Sequence, residues 1–435
     1  MTEQYADPWP APRAAEPVRA TLGMPGSKSL TNRAVLLAAL ADAPSVVRRA
    51  LRSRDTELMA AALGALGARV DSRGADWSVT PGWPADLGGG AEVDCGLAGT
   101  VMRFVPPVAA LADGAVRFDG DPEARARPMG DLLAGLRRLG VEIDDGGRGR
   151  LPFTVLGRGS APGGTVVIDA SASSQFVSAL LLAGARYDAG VDVTHDGKPL
   201  PSAPHIEMTV ACLRQHGVEV NDTDASRWRV FPGPVHAVDV CVEPDLSNAA
   251  PFLAAALVTA GSVTVENWPA RTAQAGDRFR EIAVLMGGAA ELGEHGLTVT
   301  GSGRLRGLDV DLHDAGELTP VVAALCALAD SPSHLRGVAH IRGHETDRLA
   351  ALGTELSRLG ADVTETADGL RIGPARLRGG VVATYGDHRI AHAAAVLGLA
   401  VDGVRVQNVA TTAKTFPGFP DAWRRLVTGA PGPGR

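Results

Sequence analysis

Cysteine is scarce in this chain of 435 residues: only Cys95, Cys212, Cys241 and Cys326 occur, and no two form a CxxC pair. That spacing gives no zinc site, and the N-terminus lacks a secretory apolar core, so a reduced, cytoplasmic protein without metal is expected. Long apolar runs are missing too. The stretch from Ala249 to Ala260 is among the longest and is too short to span a bilayer. Nor is there an excess of positive charge: the net charge is -7, which argues against a general nucleic-acid binder, because such a protein needs a basic face to displace phosphate counterions. Any cluster of cations here is therefore local. The two ends, MTEQYADPWPAPRAAEP and TGAPGPGR, are rich in proline and are expected to be loosely held.

What the chain does have is repetition. Apolar helix cores read RAVLLAALAD, PPVAALADG, VSALLLAGA, PFLAAALVTAG, PVVAALCALAD and HAAAVLGLAVDG, with matching alanines at Ala41, Ala112, Ala183, Ala329 and Ala400. Successive steps are 71, 71, 146 and 71 residues, and PFLAAALVTAG fills the middle of the long one, which makes six units. A second series of amphipathic stretches closes in LG, HG or MG at Gly67, Gly140, Gly217, Gly287 and Gly360. Each unit begins strand, polar turn, apolar helix, and continues with a second strand, an amphipathic helix and β-branched runs. Such mixing of strands and helices implies sheets packed on helices, with the apolar helix buried as a central rod. At 45% apolar the chain can build two lobes of three units each. The expected boundaries give one lobe of residues 26–243 and another of residues 1–25 plus 244–435.

Charge concentrates where the apolar helices begin. PGSKSLTNR places Lys28, Ser29 and Arg33 at the first helix, where outward-pointing N–H groups already favour an anion. It is not a Walker A loop, because Ser27 separates Gly26 from Lys28. The second unit has Gly99, Thr100 and Arg103, followed by Arg125 and Arg127, and the third has Ser173, Ser174 and Gln175. The fourth and fifth bring Asp245 and Glu317, RGHETDR follows, and then come Asp387, His388, Arg389 and finally Lys414. Any one of these clusters could be a solvated salt bridge of little consequence. Repeated at equivalent ends of buried helices, they describe a pocket for more than one phosphate or carboxylate. Asp55, Glu317, Glu345 and Asp387 are the acids available to move protons, so the expected chemistry joins two anionic small molecules.

The motifs PGSKSLTNR, GLAGTVMR, EARARP, SSQF, HETDR, DHR and KTFPG, in this order over nearly the whole chain, resemble those of the 5-enolpyruvylshikimate-3-phosphate synthase family. The resemblance implies an α+β (mixed α/β) fold, a two-lobed inside-out α/β barrel of six βαβαββ repeats, three per lobe, with the active site in the interlobe cleft. It implies transfer of the enolpyruvyl group of phosphoenolpyruvate to the 5-hydroxyl of shikimate-3-phosphate, without a cofactor, by a monomer that binds neither nucleic acid nor membrane. Lys28, Ser29, Arg33, Ser173, Ser174, Gln175 and Ser202 would then hold shikimate-3-phosphate, with Glu317 and His344 beside it. Lys28, Gly99, Arg127, Gln175, Arg348, Arg389 and Lys414 would hold phosphoenolpyruvate. Glu317 would take the 5-hydroxyl proton, Glu345 would lie near the phosphoenolpyruvate methylene, and Lys28 and His344 would complete the catalytic set.

This sequence departs from the best-known bacterial pattern at Leu97, Phe104, His205 and Glu317, which stand where asparagine, proline, tyrosine and aspartate are usual. His344 replaces a lysine, so its charge near neutrality depends on its surroundings. The related transferase acting on UDP-N-acetylglucosamine usually carries a cysteine in the loop after the second helix; here Asp113 to Gly130 holds none. A non-catalytic anion-binding relative is the other alternative, and Glu317 and Glu345 argue against it, because each would weaken an anion site. Glyphosate, the family's known inhibitor, should compete with phosphoenolpyruvate.

Overall fold

The computed structural model describes residues 5–82 and 90–429. Residues 1–4 and 430–435, part of the two proline-rich ends, lie outside that range. Two compact units are formed, one by Gly26–Glu243 and the other by the chain up to Pro25 together with everything from Pro244 onward.

Each unit is built from a repeated plan. In the second repeat, strand Ala91–Asp94 lies parallel to Asp113–Asp119, which pairs antiparallel with Phe153–Arg158, and Glu142–Asp144 closes the edge. The parallel pair is joined by a central helix, Gly99–Ala109, and the outer helix Gly130–Arg138 follows. The third and fifth repeats follow the same order around central helices Gln175–Gly184 and Thr319–Ala327. Central helices are buried nearly all round: every residue from Phe176 to Gly184 is buried, and so is every residue from His388 to Gly398. The central helices of each unit pack on one another to form its core, and the outer helices carry their charges away from it.

The glycine series marks the ends of the outer helices. Gly67, Gly140, Gly217, Gly287 and Gly360 all have left-handed φ, between 74° and 100°. In each case the next residue's N–H reaches back five positions: Ala68 to Leu63, Val141 to Leu136, Val218 to Leu213, Gly288 to Ala283 and Ala361 to Leu356. That is the Schellman closure, which needs a residue without a Cβ penalty just past the helix.

Three sheets recruit a strand from far along the chain. The first repeat's edge strand is Val240–Cys241, parallel to Ser45–Arg48, whereas Arg19–Leu22 joins Ser262–Glu266 in the fourth repeat. The sixth sheet has three strands, and its third is Trp9–Pro10, antiparallel to Val404–Val406. The expectation of a loose N-terminus is therefore corrected from Tyr5 onward. Trp9 is buried, Tyr5 Oη donates to Asp421 at 2.9 Å, and Asn408 N donates to Asp7 Oδ1 at 2.7 Å.

Candidate active site

Polar side chains gather at the N-terminal ends of the central helices. In the unit Gly26–Glu243, Ser27 caps the first helix, Lys28–Leu40, by accepting from Leu30 N. Lys28 Nζ lies 3.1 Å from Asp55 Oδ2, a buried carboxylate. Arg33 is buried one turn on. Its Nε donates to Thr209 Oγ1 at 2.8 Å, and its terminal nitrogens donate to the Ser29 and His205 carbonyls at 3.0 Å each. Phe104 lies under the guanidinium, 5.0 Å from its ring centre, which accounts for an aromatic at that departure. Burial pushes Arg33 down to about 10, which leaves it charged at neutral pH. The His205 carbonyl also accepts from the Ser178 and Thr209 hydroxyls, so Arg33 ties the first helix to the turn starting at Ser202. Ser202 itself is left-handed, with φ of 54°.

A second group sits across the second and third repeats. A Cβ on Gly99 would lie 3.0 Å from Arg127 Nη1, so this guanidinium rests on bare backbone. Arg103 Nη1 donates to Gln175 Oε1 at 2.7 Å and faces the Phe176 ring at 5.4 Å. Burial, reinforced by the like charge of Arg127, holds Arg103 well below its ordinary value. Its Nε–H has no partner among the described residues. Arg103 and Arg127 are thus two cations set close enough to repel, with Arg103 held by a neutral glutamine and an aromatic ring. Gln175 N donates to Ser173 Oγ at 3.3 Å, and Ser174 is the helix cap residue. Arg125 points elsewhere, into a surface pair with Asp119 at 2.8 Å.

The other unit brings acids and cations together. Arg348 and Asp387 form a two-pronged pair at 2.7 and 3.2 Å, buried at 5% and 0% exposure, so this part of HETDR and DHR is no surface cluster. Arg342, by contrast, is partly solvated and pairs with Asp347 and Glu365. Glu345 Oε1 receives Lys414 Nζ at 2.6 Å and Oε2 faces His388 Nδ1 at 3.0 Å. Burial alone would push this carboxyl up, but His388 and Lys414 outweigh it and hold it well below the usual range. Burial lowers His388 itself, against the opposing pull of Glu345, so Lys414 is the lasting counter-charge. Glu317 accepts from Ser247 Oγ at 2.6 Å and lies 3.6 Å from Arg389 Nη2. Arg389 Nη1 is buried with no partner among the described residues.

His344 Nδ1 lies 2.9 Å from Arg348 Nη1. Arginine only donates, so Nδ1 accepts, and the imidazole is neutral with its hydrogen on Nε2. Glu345, Asp387 and His388 present ligand atoms within 4.8 Å of one another. Their oxygens already face Lys414 and Arg348, however, and that positive charge opposes a metal cation there.

No local signal in the sequence singles out Ser247, Thr209 or the His205 carbonyl. Asp245 caps the helix Leu246–Thr259, while the serine two residues on holds Glu317.

The model of the family described as EPSP synthase (3-phosphoshikimate 1-carboxyvinyltransferase) matches residues 12–423. The chain belongs to the EPSP synthase family. It is 58% identical over 436 aligned positions to the 3-phosphoshikimate 1-carboxyvinyltransferase of Kocuria rhizophila, covering 98% of each chain. Among solved structures it resembles an EPSP synthase from Acinetobacter baumannii, with a TM-score of 0.80 at 23% identity over 96% of this chain and 97% of the other. It also resembles the enolpyruvyl transferase NikO from Streptomyces tendae, with a TM-score of 0.74 at 20% identity over 95% and 96% of the two chains. The fold is thus that of the enolpyruvyl transferases. Among the described residues no helix is long and apolar enough to cross a membrane.

Proposed function

We propose that this EPSP synthase family member moves the enolpyruvyl group of phosphoenolpyruvate onto the 5-hydroxyl of shikimate-3-phosphate through the residues described above. The reaction is the shikimate-pathway step that leads toward chorismate and the aromatic amino acids. The observation that carries the assignment of roles is the pairing of each candidate proton carrier with a cation, Glu317 with Arg389 and Glu345 with Lys414.

Lys28, Ser29, Arg33, Ser173, Ser174, Gln175 and Ser202 belong to the shikimate-3-phosphate side. Arg33 acts there largely by fixing the Ser202–His205 turn, since its donors already reach protein carbonyls. Arg127 over Gly99, with Arg348, Arg389 and Lys414, takes the phosphate and carboxylate of phosphoenolpyruvate. Glu317 removes the 5-hydroxyl proton as the oxygen attacks C2, and C3 gains a proton, giving a tetrahedral ketal. Loss of phosphate from that ketal, with removal of a proton from the methyl group, gives the enol ether. Surrounding cations stabilise the charge at phosphate as it departs.

Glu345 starts as a carboxylate held low by His388 and Lys414. Phosphoenolpyruvate draws the Lys414 charge toward itself, which raises the proton affinity of Glu345 and suits it to serve the methylene carbon. His344, neutral and committed at Nδ1, donates from Nε2 and does not accept a proton while the Arg348 contact stands. We further read the enzyme as a cytoplasmic monomer working on two small anions without a cofactor.

Phosphate release from phosphoenolpyruvate, measured with shikimate-3-phosphate, with UDP-N-acetylglucosamine and with neither, tests the proposal. Release with shikimate-3-phosphate alone, abolished in Lys28→Ala, is the expected result. Release only with the sugar nucleotide, or none with either acceptor, overturns it.

A further inference from the structure

The turn that delivers Asp387, His388 and Arg389 has an unusual residue at its centre. Tyr385 and Gly386 both have left-handed φ, 55° and 71°, and Asp387 N donates to the Thr384 carbonyl at 2.9 Å. Two consecutive positive φ values inside such a bond are the pattern of a type I′ turn, in which Gly, Asn and Asp prevail. A bulky side chain in the first of these places is strained and persists only where its surroundings hold it.

Glu355 does the holding. Its carboxylate is almost wholly buried, at 4% side-chain exposure. It accepts from Tyr385 Oη at 2.7 Å, from Ala383 N at 3.1 Å and from Arg358 Nη1 at 2.8 Å. Burial and the neighbouring carboxylate hold the Tyr385 phenol above its ordinary value, so it stays a donor. Glu355 sits seven residues after Arg348 on the helix Arg348–Arg358, two turns along the same face. One helix therefore grips the segment of residues 383–389 twice, at Asp387 through Arg348 and at Ala383 and Tyr385 through Glu355. Between the grips, Thr411 Oγ1 donates to the Gly386 carbonyl at 2.7 Å, which connects the turn to the short helix ending in Lys414.

We infer that Glu355 and Tyr385 are positioning residues for phosphoenolpyruvate: their hydrogen bond locks the strained turn that aims Arg389 and keeps Asp387 on Arg348. This rests on the assignment of Arg348, Arg389 and Lys414 to phosphoenolpyruvate. Tyr385 thus does more than form the turn, a task that asparagine would perform with less strain.

The experiment uses the full-length enzyme with Tyr385→Phe, Tyr385→Asn and Glu355→Gln, and measures KM for each substrate, kcat and thermal stability. Tyr385→Phe keeps the strain and loses the bond, whereas Tyr385→Asn relieves the strain and loses the bond. Both are expected to raise KM for phosphoenolpyruvate by roughly tenfold, the worth of a hydrogen bond to a charged group, with KM for shikimate-3-phosphate unchanged. Tyr385→Asn should do so without losing thermal stability. Glu355→Gln, which still accepts from the phenol, should retain most of the affinity. Unchanged KM for phosphoenolpyruvate in both Tyr385 variants overturns the inference, as does an equal rise for both substrates. Should the Arg389→Ala variant stay active with KM for phosphoenolpyruvate untouched, the underlying assignment of the site is what fails.

Discussion

The two units hold their cations in opposite ways. In Gly26–Glu243, Arg33 and Arg103 are buried against carbonyls, a glutamine and aromatic rings, while Lys28 pairs with Asp55. In the other unit Arg348, Arg389 and Lys414 each face a carboxylate. Cations without acids make a place that binds. Cations with acids make a place where a proton can be held, released and replaced. On the proposed reading, recognition falls mainly to one unit and proton handling mainly to the other, and of the second set only Arg389 stands at the start of a central helix.

The largest test of that contrast is Glu317→Gln, which keeps shape and removes the base. A loss of about 10²- to 10⁴-fold in kcat is expected, with little change in KM, by the usual contribution of a positioned base. Near-normal turnover would move the base elsewhere. Next comes a pair of stability measurements. Asp387→Ala strands the buried Arg348 guanidinium and should cost about 3–5 kcal/mol in denaturant unfolding. Arg103→Met removes a buried cation that has no carboxylate, so the ligand-free protein should gain stability, by ~1 kcal/mol, while losing activity. If both variants lost stability alike, the two units would not differ as described.

A further effect concerns pH. His340 is pushed down from 6.5 to about 4, by burial first and then by His313 and Arg348. A histidine lowered on folding binds its proton more readily when unfolded, so its contribution is complete above pH 6.5 and is lost as pH falls toward 4. His340→Gln should flatten that part of the stability profile by about 2 kcal/mol relative to wild type. Parallel profiles would show that the ring is not penalised.

How much of this was legible in the sequence depends on distance along the chain. Central rods, outer helices and their closing glycines follow from local periodicity and from the left-handed φ that a Schellman end demands, so Gly67 to Gly360 could be read directly. Trp9 could not, because nothing near it announces that its strand partner is Val406. The exchanged strands at Arg19–Leu22 and Val240–Cys241 were invisible for the same reason. Within the site, residue types at helix starts indicated anion chemistry. Which acid faces which cation is a three-dimensional fact: Lys414 and Glu345 are 69 residues apart, and Arg348 and Asp387 are 39 apart. Glu355 carried no signal, since a glutamate on an amphipathic helix reads as a solvated charge.

The N-terminal segment has a bearing on synthesis. Residues 9–10 and 19–22 emerge first, yet the strands they join are residues 404–406 and 262–265. The unit Gly26–Glu243 is continuous and has all its residues in hand once Glu243 has emerged. On the ribosome it can close while the leading 25 residues wait unpaired, and the sixth sheet is the last to be completed. The last sheet therefore waits for residues 404–406, so a nascent chain stalled before that point can hold one finished unit while the other still lacks its sixth sheet.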